Sequence, residues 1–344
     1  MRRLRAALLG LIEEGRSIYD ALRSDPTVEL VAVADRDRDL GAALGSEAGA
    51  RVYDDYRRAI VESAAGGLDV LFVALPPFEA DESLRVAAAR QVAVFAAPPA
   101  ARRFDATVEL ADLFAQAGCP LVVGRRWQSE PAFMRLHNLP ELVGVVFAAT
   151  ADMACPVPQP LGWRGDARRA GGGVLLHGAY EMVDALVTLV GVPEEVFAAT
   201  GMAVPPGAAR AYDTEDAASV VFHYADHRTA AVTCRRIRPW RAEGNWSMTL
   251  CGSRATVAVT PDSMTVTDSE GQCLTQTTVR TTNRYAPAIN VFVAALSADV
   301  QVIPSGVSEH LGTMATIRAA YLSVKTGQPE SPGRFLELTG HGER

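Results

Sequence analysis

Short apolar runs and amphipathic stretches alternate through the first third of the chain. Leu4 to Leu9 reads as a buried strand, followed by a glycine-containing turn and a helix from about Arg16 to Arg23. Val28 to Ala34 is a second strand ending at Asp35, Val70 to Leu75 a third closed by Pro76-Pro77, Val92 to Phe95 a fourth closed by Pro98-Pro99, and Leu121 to Val123 a fifth ending at Gly124. The segments Asp37 to Ala48, Tyr56 to Ser63, Asp81 to Ala89 and Asp105 to Ala117 between them have helical periodicity. Apolar strands separated by such helices imply a parallel, doubly wound sheet, and ligands of these sheets bind beyond the carboxyl ends of the strands.

The pattern changes after Gly124. Gly144 to Met153, Ala218 to Tyr224, Thr229 to Cys234, Ser247 to Leu250 and Ala255 to Thr260 read as strands, with turns at Ala225-Asp226-His227 and Asp268-Ser269-Glu270-Gly271. They predict a large, mostly antiparallel open sheet. Helices are expected at Val174 to Val190, Ala286 to Ala298 and His310 to Lys325, and Pro156 to Arg169 reads as a long loop. The fold class is therefore α/β, with a doubly wound parallel sheet in a first domain at 1–124 and a large open sheet in an α/β domain at 125–344.

Composition narrows the partners. Of 344 residues, 49% are hydrophobic, enough for a sizeable core, and the net charge of −7 argues against nucleic acid and anionic membranes. Lys325 is the only lysine among 33 basic residues, in an ordinary helix-end context, so Schiff-base chemistry is not expected. The five cysteines are widely spaced without a C-x-x-C pair, so neither a disulfide framework nor a zinc ribbon is indicated. The start of the chain lacks a signal-peptide pattern and no run reaches the roughly 20 apolar residues of a membrane span. The expectation is a cytoplasmic protein.

The order of motifs resembles the Gfo/Idh/MocA oxidoreductases, which include glucose–fructose oxidoreductase and inositol dehydrogenase. The resemblance covers about residues 3 to 333 and implies that 1–124 is a Rossmann-type dinucleotide-binding-like domain and 125–344 a C-terminal substrate and oligomerisation domain. It rests on Gly162-Trp163-Arg164, Ala170-Gly171-Gly172-Gly173-Val174-Leu175-Leu176, Val183-Asp184 and Gly191, similar to the family's W-R…G-G-G-x-L-x-D-x-x-x-H-x-x-D signature. Arg125-Arg126-Trp127, Pro131-Ala132-Phe133, Gly252 and Ala320-Tyr321-Leu322-Ser323 support it.

The resemblance implies a nicotinamide cofactor, but several of its positions are altered. The phosphate loop G-x-G-x-x-G becomes Gly10-Leu11-Ile12-Glu13-Glu14-Gly15: Gly10 and Gly15 remain, and Ile12 replaces the glycine that lets the backbone approach the pyrophosphate. Asp35 stands where an acid would bind the adenosine ribose and favour NAD, and Arg36 is placed to stack on adenine. Of the family's T-P-x-x-x-H only Pro76 is kept. Its Glu-Lys-Pro becomes Ala96-Ala97-Pro98, so the lysine that hydrogen-bonds the substrate hydroxyl is missing. Glu181 stands in place of the histidine that takes the hydroxyl proton, and His177 in place of its companion aspartate. By resemblance Arg164 and Trp163 border the substrate cleft.

On a continuous helix from Val174 to Val190, His177, Glu181 and Asp184 fall at i, i+4 and i+7, with Tyr180 beside them. That spacing lets His177 and Glu181 pair, and the carboxylate would raise the histidine's pKa and make it a general base. The bland reading is a structural pair. No further His or Cys is placed to complete a metal site on this stripe, so none is expected. Arg168 and Arg169 read as solvated.

The expected function is that of a diverged family member acting on a small polar substrate: sugar-like, cyclitol-like or from specialised metabolism. Hydride transfer is expected to be impaired, with acid/base chemistry of a non-redox kind at His177, oriented by Glu181, while Tyr180 and Arg164 position the substrate. NAD is the cofactor to expect, or none, given the altered loop. One alternative is an NAD-dependent oxidoreductase of a sugar-like hydroxyl or carbonyl with His177 as the replacement acid/base. Another is a non-catalytic subunit binding a partner enzyme. A homo-oligomer through the second sheet is expected.

Overall fold

The computed structural model describes residues 2–129, 133, 136, 139–158, 160–203, 211–237, 245–278, 283–298 and 305–340; Pro131 and Ala132 of the motif above lie outside them. The chain forms two compact units: Met1–Ala101, Asp105–Ser129 and Thr282–His310 make the first, and Arg102–Phe104, Glu130–Thr281 and Leu311–Arg344 the second. The chain crosses between them more than once, which a single boundary at residue 124 does not describe.

The first unit is a six-stranded parallel sheet. Its strands are β1 (Leu4–Leu9), β2 (Val28–Ala34), β3 (Arg51–Tyr53), β4 (Val70–Val73), β5 (Ala93–Ala96) and β6 (Leu121–Val123), in the order β3-β2-β1-β4-β5-β6. This is the strand order of a dinucleotide-binding Rossmann sheet. The connecting helices are α1 (Glu14–Ser24), α2 (Arg38–Ala48), α3 (Tyr56–Ala65), α4 (Pro77–Ala89) and α5 (Phe104–Ala117). The α4 helix begins at Pro77, earlier than its periodicity suggests, because proline suits the first turn, where no backbone N–H is needed. Strands β4, β5 and β6 are buried on both faces, as in crossover-covered sheets. Helix Ala286–Ser297 belongs here rather than with the second sheet. Its Phe292, with Tyr285 just ahead of it, meets Phe95, and Phe292 also meets Phe72, in tilted or edge-on ring contacts.

The second unit holds an eight-stranded sheet: β7 (Val146–Pro156), β8 (Glu195–Gly201), β9 (Ala217–His223), β10 (Thr229–Ile237), β11 (Asn245–Gly252), β12 (Ala255–Thr260), β13 (Ser263–Asp268) and β14 (Cys273–Thr278). The order is β14-β13-β12-β11-β7-β10-β9-β8; β7 and β10 pair in parallel, the other neighbours antiparallel. Alternation of buried Val220 and Phe222 with exposed Ser219 and Val221 along β9 gives the sheet one covered and one open face.

The expected helix Val174 to Val190 is two helices, α6 (Val174–His177) and α7 (Tyr180–Val190), with Gly178 and Ala179 between them. The stretch Ala167–His177 meets α7 at a bend of 55°. Gly178 is pressed against β7: a Cβ there would lie 2.6 Å from Cys155 Sγ and 2.7 Å from the Val174 carbonyl oxygen. Helix α8 (Leu311–Thr326) packs on β8, where Ser323 Oγ accepts the Ala198 N–H at 3.1 Å. Among the described residues no single helix is long and apolar enough to cross a membrane.

Candidate functional site

In the first unit the turn between β1 and α1 keeps the two glycines that sterics demand. Gly10 has φ +81°, and a Cβ there would lie 2.5 Å from the Ala74 carbonyl oxygen. At Gly15 a Cβ would lie 2.1 Å from the Gly10 carbonyl oxygen, so the helix start can pass this close only without a side chain. Between them Ile12 is 56% exposed, and Glu13 adopts φ +53°, backbone that usually favours glycine. Asp35 is buried at the end of β2; its two carboxylate oxygens accept the Leu11 N–H at 2.7 Å and the Asp37 N–H at 2.9 Å. Arg36 lies 3.1 Å from Glu79 and over the Tyr56 ring, so it already has partners beside the adenine position it was expected to cover.

The remaining positions lie at the ends of β4 and β5. Pro76 stands just before α4. Ala96 ends β5, the Ala97 N–H donates to the Val73 carbonyl at 2.8 Å, and partly buried Pro98 follows. Neither Ala96 nor Ala97 carries a group that can hold a proton. Arg125, of the Arg125-Arg126-Trp127 motif, is buried and bonded to Glu309 at 2.7 Å, a structural pair within this unit.

In the second unit His177 ends α6 and is partly buried. Its Nε2 lies 2.9 Å from the Ala170 carbonyl oxygen, which can only accept; Nε2 therefore carries the proton and Nδ1 is bare in the neutral ring. The ring meets Trp163 edge-on at 5.0 Å, and Arg164 lies 4.4 Å over the same indole. Burial pushes the His177 pKa down to about 4, opposed by the Ala170 hydrogen bond and aided by the charges of Arg164 and Arg236.

This corrects the expected His177–Glu181 pair. The bend at Gly178 breaks the i, i+4 relation, no carboxylate contributes to the histidine's titration, and its pKa is lowered rather than raised. Tyr180 and Glu181 are buried in the first turn of α7. Asp184, fully buried, accepts the Thr313 hydroxyl at 2.8 Å and ties α7 to α8.

Sequence reasoning missed a second buried polar group. Glu215 accepts the Gly173 N–H at 2.8 Å, the Leu175 N–H at 3.0 Å and the Tyr321 hydroxyl at 2.9 Å, and so caps α6. Its buried neighbour Asp216 lies 3.1 Å from Arg236. Burial opposes the ionised Asp216, but hydrogen bonds from the Ala203 N–H, Tyr212 and Arg236 outweigh it and lower its pKa. The acidic run Asp213 to Asp216 directly ahead of an apolar strand was the available signal.

Two family models match this chain. The model of the oxidoreductase family with an NAD-binding Rossmann fold matches residues 4–125, and that of the Gfo/Idh/MocA C-terminal domain matches 141–258. The chain belongs to the Gfo/Idh/MocA family. No curated protein sequence matches it. Solved structures share the fold at low identity. GenD2 from gentamicin A biosynthesis, in complex with NAD, is 21% identical over 96% of this chain and 97% of its own, with a TM-score of 0.80. The WlbA dehydrogenase from Bordetella pertussis, in complex with NADH and UDP-GlcNAcA, is 20% identical over 96% and 99%, with 0.78. Levoglucosan dehydrogenase, in complex with NADH and levoglucosan, is 16% identical over 96% and 99%, with 0.83.

As a Gfo/Idh/MocA chain, the first unit fits a dinucleotide at three points: the tight turn at Gly10, the close helix start at Gly15 and the acid at Asp35. It departs at Ile12 and Glu13.

Proposed function

We propose that the protein binds NAD and handles a small polar metabolite, sugar- or cyclitol-like or from specialised metabolism, with the family's lysine-assisted hydride transfer impaired. The observation that carries this reading is the pair of methyl side chains, Ala96 and Ala97, at the end of β5. The family's lysine hydrogen-bonds the substrate hydroxyl, and no atom of either alanine side chain does so. Gly10, Gly15 and Asp35 would hold the nucleotide, with Pro76 and Pro98 ending the strands beside it. When bound, the nicotinamide supplies hydride exchange.

His177 then has a narrower role than that of a strong base. With its pKa near 4 it is neutral at physiological pH, and its bare Nδ1 accepts a hydrogen bond from a hydroxyl. Arg164, Tyr180 and Glu181 are the proposed positioning groups, and non-redox proton transfer is the chemistry they favour. Among the structural neighbours, complexes with levoglucosan and with UDP-GlcNAcA support a sugar-like substrate class. A second copy of the chain is the proposed partner for the open sheet face, where exposed Phe197 and Val221 are cross-strand neighbours.

The test is NAD reduction with a panel of polyols and sugars, comparing the protein with Ala97→Lys. Restoring the lysine is expected to raise kcat by about a hundredfold or more, in the range of one positioned acid–base group. An unmodified protein already turning over as fast as the variant would overturn the reading.

A further inference from the structure

Within the second unit a cavity of about 580 Å³ opens beside α8 and the glycine run before α6. That volume is in the range of small-molecule sites, roughly 300–1,000 Å³. Its lining includes five cations, Arg102, Arg103, Arg168, Arg318 and Lys325, in a chain whose net charge is −7. Two carboxylates share the lining, and backbone donors already engage both. Glu215 caps α6 and takes the Tyr321 hydroxyl, while Asp213 accepts the Ala167 N–H at 2.6 Å.

Four of the cations, Arg102, Arg168, Arg318 and Lys325, are not similarly engaged. Arg102 donates to the Arg168 carbonyl at 2.7 Å and Arg318 lies over the Phe335 ring, but among the described residues neither they, Arg168 nor Lys325 has a carboxylate partner. Like charges gathered around one concave surface focus a positive potential into it. Phe104, Leu176, Met314 and Ile317 give the wall an apolar part, and Thr214 lies among the other lining residues. The Tyr321 hydroxyl adds one polar atom, and burial and the adjacent Glu215 keep it protonated.

We propose that this cavity binds a small organic oxyanion, a phosphate or carboxylate borne on an apolar body. The head group lies among the guanidinium groups and Lys325, and the body lies on the apolar wall. Arginine forks match either head group with paired hydrogen bonds. The assignment is independent of the nucleotide-binding reading, since every lining residue belongs to the second unit.

Lys325, the only lysine, reports occupancy directly. Acylation of its amine by a succinimidyl ester, followed by peptide mass spectrometry, is measured on the full chain with phenyl phosphate, benzoate, inorganic phosphate or sodium chloride at matched ionic strength. Phenyl phosphate or benzoate is expected to slow acylation saturably, and whichever protects better identifies the head group. Arg168→Ala with Arg318→Ala, exposed positions whose loss should leave the melting temperature unchanged, is expected to weaken protection about tenfold or more. Protection no greater than that by sodium chloride, or undiminished in the double variant, would overturn the site. Equal protection by inorganic phosphate and phenyl phosphate would overturn the apolar body. No turnover or nucleotide enters the readout, so these failures are distinct from failure of the proposed function.

Discussion

The Leu11 N–H donates to the Asp35 carboxylate at 2.7 Å and joins the turn after β1 to the end of β2. The same carboxylate holds the Asp37 N–H, so Asp35 organises the nucleotide turn before any ligand arrives. Asp35→Ala leaves both amides without that acceptor. It is expected to destabilise the protein by about 1–3 kcal/mol and to weaken NADH binding. Urea denaturation followed by tryptophan fluorescence checks the first effect. An unchanged midpoint would show that water replaces these bonds at no cost.

His177 gives a pH dependence whose sign is fixed. Its folded-state pKa is lowered from the ordinary 6.5 to about 4, so between those values the unfolded chain binds the proton and the folded chain does not. Its contribution to stability is complete above pH 6.5 and is lost as pH falls toward 4. His177→Gln is expected to flatten the fall in denaturation midpoint across that window. Proton NMR should show the native His177 ring still neutral at pH 5.5. A ring half-protonated near 6.5 would contradict the burial argument.

Tyr321 donates to Glu215, and the Gly173 N–H donates in turn to its hydroxyl. Tyr321→Phe removes a hydrogen bond to a carboxylate and is expected to cost about 1–3 kcal/mol, read as a lower melting temperature. The phenol, its pKa raised well above 10 chiefly by burial, is expected to resist ionisation in an alkaline absorbance titration while the protein remains folded.

The open sheet face supplies a simple association test. Phe197→Glu places a charge beside Val221, where a second copy is proposed to pack. Light scattering after gel filtration is expected to show a smaller species than the unmodified protein. No change in mass would remove this face as the contact.

The parallel sheet was legible because β1, β2 and β6 are apolar runs with turn residues at their ends, and their bounds in the sequence and the structure coincide. The short β3 and the Thr-rich β14 were not, since neither length nor apolar alternation marks them, and β13 carries only two apolar positions, Met264 and Val266, in six residues. Helix Ala286–Ser297 was visible, but its place was not: only the packing of Phe292 on Phe72 and Phe95 assigns it to the first unit. At the candidate site the losses at Ala97 and Ile12 could be read directly. The His177–Glu181 pair could not be judged, because helical periodicity assumes a straight axis and Gly178 permits a bend against Cys155 that the pattern does not encode.

The proposed grip on the dinucleotide turns on Ile12, whose exposed side chain stands at the position where the family keeps a glycine. Fluorescence titration of NADH into the protein and into Ile12→Gly measures this directly. The glycine variant is expected to bind several-fold more tightly, about 1 kcal/mol, by opening the backbone to the pyrophosphate. Equal or weaker binding by Ile12→Gly would contradict the view that this loop has lost part of its hold on the cofactor.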